Sequence, residues 1–106
     1  MMIYVLCFML YDNNMTDTKK VFTPEKAKEI GEQLGITWDK FDVEEFRRGM
    51  DVELEHGTEN SVTNVSNDDP LISGKISLAH LNEFPDYYTR LDKMEEEAEA
   101  YWDAKE

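Results

Sequence analysis

Apolar residues recur at helical spacing along most of the chain, and the breaks between the runs carry clear start and stop signals. Thr23-Pro24-Glu25 offers a capping hydroxyl, a proline at the first helical position and an acid in the first turn. Ala27, Ile30 and Leu34 follow on one face, and Gly35 is a natural stop. Asp42 with Glu45 three residues on resembles a capping box, so a second helix is expected from there to about His56, closed by Gly57. Residues at about 58–69 are polar and show no period, which predicts a loop. Asp69-Pro70 restarts a helix by the same cap-plus-proline logic. Pro85 must kink or break it, and a last helix is expected from Asp86 towards Trp102, with Tyr87, Leu91, Met94, Ala98 and Trp102 as its stripe. The pattern predicts an all-α fold, a small bundle of three to four helices.

The first eleven residues, Met1 to Tyr11, depart from this pattern by being wholly apolar. They are too few to span a bilayer, which takes about 20 helical residues. No Lys or Arg precedes Lys19, so they do not read as a secretory signal. Two readings remain. In one they form a buried strand or short helix docked on the core. In the favoured one the natural start is Met15, residues 1–14 are a non-native extension, and 15–106 form a single helical domain.

Charge narrows the choice of partner. Twenty-four acidic residues against eleven basic ones give a net charge of −13 over 106 residues. Nucleic acid is not an expected ligand, because phosphate binding needs a basic surface. A basic protein partner remains compatible, and so does a merely solvated acidic surface. Cys7 is alone, so no intramolecular disulfide forms and no cysteine cluster can hold zinc. A cytoplasmic protein is the simplest expectation.

The candidate chemistry lies with two histidines, each three residues from a glutamate on a predicted helix: Glu53-x-x-His56 and His80-x-x-Glu83. Residues three apart share a helix face. On the second helix Val43, Phe46, Met50, Leu54 and Gly57 make the apolar stripe. Glu53 lies at its edge, with Gly49 one turn earlier, leaving room for close approach. On the third helix Ile72, Ile76 and Ala79 share a face with His80 and Glu83, while Leu71, Leu78 and Leu81 cover the other side. If the two helices pack antiparallel, His56 meets His80 and Glu53 meets Glu83. Two imidazoles and two carboxylates would suit zinc, iron or manganese, and Glu-x-x-His is also the ligand unit of di-iron bundles. Glu55, Asp86 and Tyr87 would orient the imidazoles. Parallel packing would scatter the set. The competing reading is structural: Glu53 and Glu83 pair with Arg47, Arg48, Lys75 or Arg90, and the histidines complete a buried polar network. No nucleophile with a base beside it, no phosphate loop and no calcium hand is recognisable, so nothing marks the chain as an enzyme.

Phe41-Asp42-x-x-x-Phe46-x-x-Gly49-Met50-Asp51-Val52-Glu53-Leu54-Glu55-His56-Gly57, followed by Lys75-Ile76-x-Leu78-Ala79-His80-Leu81-x-Glu83-x-Pro85-x-Tyr87-Tyr88-x-x-Leu91, resembles an uncharacterised family of small bacterial and phage proteins. The resemblance covers roughly residues 20–97. It implies a start near Met15 and directs attention to Glu55-His56, His80, Glu83 and the tyrosine pair, but it brings no activity with it.

Overall fold

The computed structural model describes residues 21–105; the apolar segment 1–14, with both readings of it, lies outside them. Among the described residues there are four α-helices and no strand: α1 (Pro24–Gln33), α2 (Val43–Glu53), α3 (Pro70–Glu83) and α4 (Tyr87–Lys105). A single 3-10 turn, Leu54–His56, prolongs α2. The chain is all-α, as expected. No described helix is long and apolar enough to cross a membrane.

The helix boundaries follow the capping chemistry. The Thr23 hydroxyl accepts from the Lys26 N–H at 3.0 Å, the Asp42 carboxylate from the Glu45 N–H at 2.9 Å, and the Asp69 carboxylate from the N–H groups of Leu71 and Ile72 at 2.8 and 3.1 Å. Each bond satisfies a donor that the first helical turn leaves open. Pro85 breaks the chain rather than kinking it: α3 stops at Glu83 and Phe84 is extended.

Residues Val21–Tyr88 form one compact unit. Its core gathers Ala27 and Ile30 of α1, Phe46 and Met50 of α2, Leu81 of α3 and Tyr88 from the first turn of α4. The buried face of α3 is not the expected isoleucine stripe. Ser73, Gly74, Ser77 and Leu81 point inward, while Ile72 and Ala79 are exposed. Small residues let α2 approach closely. A Cβ on Gly74 would stand 2.6 Å from Ile30 Cγ2 and 3.3 Å from Phe46 Cζ, and one on Gly49 would collide with Ser77 Oγ and the Tyr88 ring. Contacts pair Gly74 and Ser77 with Phe46, Ser77 with Gly49, and His80 with Glu53. Rising numbers on one helix meet rising numbers on the other, so α2 and α3 run in the same sense. The antiparallel arrangement is corrected: the segment between them is long enough to carry the chain back before α3 begins.

Arg47 ties the start of the unit to α2. Although 2 % exposed, its guanidinium pairs with Glu44 at 2.7 Å and with Asp51, and it donates to the Phe22 carbonyl at 3.4 Å. Asp51 in turn accepts from the Phe22 N–H at 3.0 Å. Arg47 is therefore committed to Glu44 and Asp51, not to Glu53. Burial pushes the Asp51 carboxyl up, against Arg47 and the backbone donors that favour its ionised form.

From Thr89 onward α4 forms part of a separate unit. Met94, Tyr101 and Trp102 are exposed there, Tyr101 and Trp102 meet edge to face, and Lys105 Nζ lies 5.1 Å from the Tyr101 ring centre. Gly49→Ala should destabilise the fold by about 1–3 kcal/mol through overpacking between α2, Ser77 and Tyr88. Chemical denaturation would measure it, and an unchanged midpoint would disprove the close approach.

Candidate functional site

The centre of the polar cluster is Glu53, the last residue of α2 and only 4 % exposed. Its carboxylate accepts a 2.6 Å bond from the Tyr88 hydroxyl at Oε2. Two imidazole nitrogens stand just beyond hydrogen-bond reach: His80 Nε2 lies 3.9 Å from Oε2, and His56 Nε2 lies 4.0 Å from Oε1. Among the described residues, both rings stand within ion-pair distance of this buried carboxylate.

Each member is placed by a different local feature. The 3-10 turn after Glu53 swings His56 to the carboxylate. The His56 carbonyl then anchors the following loop, accepting from Val65 N–H at 2.7 Å and Ser66 N–H at 3.1 Å. Asn67 and Asp68 adopt left-handed backbone conformations, and Asp68 caps the loop by accepting from both the Thr58 N–H and hydroxyl. Those two bonds hold the Asp68 carboxyl below its ordinary range. His80 comes from the last turn of α3 and stacks flat on Tyr87, with ring centres 4.1 Å apart and planes 11° apart. Tyr88 stands edge-on to both rings.

His80 Nδ1 lies 3.2 Å from Glu83 Oε1. An ionised carboxylate can only accept, so this contact requires the hydrogen on Nδ1. In the neutral ring Nε2 then presents a lone pair towards Glu53. A lone pair facing a buried carboxylate oxygen is unfavourable unless a proton or a metal ion lies between them.

The structure thus brings Glu53, His56 and His80 towards one another, but not Glu83, which is exposed and meets only the far nitrogen of His80. Among the described residues no three His, Cys, Asp or Glu side chains stand close enough to hold a metal ion as they are placed. Of the residues expected to orient the rings, Tyr87 stacks on His80. Glu55 and Asp86 are exposed, and Asp86 acts electrostatically on Glu45. Glu45, part-buried, has its carboxyl raised chiefly by burial. Tyr88, to which only the family resemblance pointed as one of the tyrosine pair, was not placed in the expected metal set or among the residues orienting it. Its signal in the sequence is its place four residues after Phe84 and directly behind Tyr87, in the first turn beyond the Pro85 break.

The chain belongs to a family of proteins of unknown function (DUF5661), whose pattern matches residues 27–97. No curated protein and no solved structure matches it.

Burial, and after it the bond to Glu53, push the Tyr88 phenol far above the ordinary tyrosine value near 10. A raised folded-state value contributes stability that is fully present below about pH 10 and lost as the pH rises past it, by at most about 1.4 kcal/mol per pH unit. In an alkaline titration followed at 295 nm, the Tyr88 phenolate should appear only together with loss of the helical circular dichroism signal. Ionisation of all five tyrosines with the helices intact would contradict this.

Proposed function

We propose that the protein binds a divalent transition-metal ion at Glu53, His56 and His80, with Glu83 backing His80 from outside. The observation that carries this reading is a single buried carboxylate with an imidazole Nε2 near each of its oxygens, at 3.9 and 4.0 Å. Ligand atoms held at the usual distance of about 2.0–2.2 Å round a tetrahedral ion stand roughly 3.4 Å apart, so the rings would have to draw in slightly to share one ion with the carboxylate. A carboxylate on the remote nitrogen of a ligating histidine is the usual means of fixing its tautomer and raising its basicity. The His56 ring is half exposed, which leaves it free to close on the ion. Imidazole and carboxylate donors favour zinc, iron or manganese over calcium or magnesium. If the site is catalytic, activation of a metal-bound water for hydrolysis is the chemistry such donors supply.

A second reading rests on charge. At −13, the surface suits a basic protein partner, bound with a steep dependence on salt and indifferent to chelator, while the His/Glu cluster only fixes helix register.

Elemental analysis of untagged protein purified without chelator should find about one transition metal per chain. EDTA should lower the melting temperature by several degrees, since an ion at 100 times its Kd adds about 2.7 kcal/mol. His80→Ala should lose the metal while keeping the helical signal. Metal-free protein whose melt ignores both EDTA and added zinc would overturn the metal reading.

A further inference from the structure

We infer that Tyr88 is a positioning residue for this site: its hydroxyl fixes the Glu53 carboxylate that the ion would share with the two imidazoles. The inference rests on the metal reading above. Glu53 closes a helix, and its side chain has rotamers that would carry the carboxylate away from the histidines. The contact that holds it is the 2.6 Å bond from Tyr88 to Oε2.

Tyr88 is itself held firmly. It is fully buried, its ring fills the notch left by the missing side chain of Gly49, and its edge contacts put it against His80 and Tyr87 with ring centres 6.3 and 5.0 Å away. Its backbone carbonyl accepts from Arg48 at 3.4 Å. A neutral phenol carries a hydrogen to donate, so the Tyr88 bond fills one acceptor position of Oε2 while the two imidazole Nε2 atoms stand 3.9 and 4.0 Å from the carboxylate oxygens. A residue that merely filled the core would not need its hydroxyl for this.

The test is a cobalt(II) titration of the full chain at constant pH, read from the visible absorption of the bound ion. The wild type should saturate at about one ion. Tyr88→Phe should retain its helical signal, bind about 10–100-fold more weakly and show shifted cobalt bands. Ser73→Ala perturbs the same buried face of α3, where the Ser73 hydroxyl makes no hydrogen bond among the described residues, and should bind like the wild type. Equal affinity for Tyr88→Phe and wild type would overturn the positioning role. So would equal weakening by Ser73→Ala, which would reduce the effect to packing. A wild type that takes no cobalt would instead overturn the metal reading, and this inference with it. Should Tyr88→Phe fail to fold, 3-fluorotyrosine placed at position 88 alone supplies the readout. Its fluorine resonance should move on adding zinc, and a static resonance in zinc-loaded protein would refute the inference.

Discussion

A carboxylate buried at the end of α2 is the constraint around which the rest of the site is arranged. Removing a carboxylate from water costs several kcal/mol unless hydrogen bonds and opposite charge replace the lost solvation. Glu53 has one strong donor, Tyr88, and two imidazoles beyond hydrogen-bond range. Tyr88 reaches it because Pro85 ends α3, because the chain turns at once into α4, and because Gly49 has no side chain in the path of the phenol. Arg47, buried on the same helix, is bound to Glu44 and Asp51 instead. Glu53 meets Tyr88 and, just beyond hydrogen-bond range, the two histidines.

That outcome depends on how closely α2 and α3 approach. Ser73, Gly74 and Ser77 give α3 a thin buried face, so the backbones come close enough for Ser77 to donate to the Phe46 carbonyl at 3.2 Å. The Ser73 hydroxyl, buried on the same face, has no partner, so the thin face carries a polar cost in exchange for proximity. The loop between the helices does more than connect them. By hanging Val65 and Ser66 on the His56 carbonyl, it fixes the turn that places the His56 ring.

The helices themselves were legible in the sequence because their signals are local. Thr23, Asp42 and Asp69 each announce a first turn, and Pro85 announces a stop, without reference to anything distant in the chain. The sense in which two helices pack is not local. A stretch of some twelve residues permits either sense, and the choice was made by the serine and glycine face of α3, which hydrophobic periodicity scores as polar and assigns to solvent. The same blindness left the role of Tyr88 unread: the resemblance pointed to the tyrosine pair, but a tyrosine in a helix reads as core or rim, and only the meeting of α2 with the start of α4 shows its hydroxyl aimed at Glu53. The histidine–glutamate spacing did pick out residues that the fold brings near one carboxylate, since both rings approach Glu53. It misassigned Glu83, because in the parallel arrangement one turn of α3 beyond His80 lies past the end of α2.

The direction of the His80 hydrogen ties the local geometry to the charge of the whole chain. Glu83 accepts from Nδ1, so Nε2 is left to face Glu53, and the arrangement is favourable only with a positive charge between them. A second proton on the imidazole would meet the need, and so would a metal ion. A surface carrying −13 raises the local concentration of every cation and does not distinguish between these two. The second imidazole adds a further constraint. His56 stands 4.0 Å from the opposite oxygen of the same carboxylate, at the end of a turn that the loop holds. It is this paired approach of two rings to one buried carboxylate, rather than the acidity of the protein, on which the proposed metal site rests.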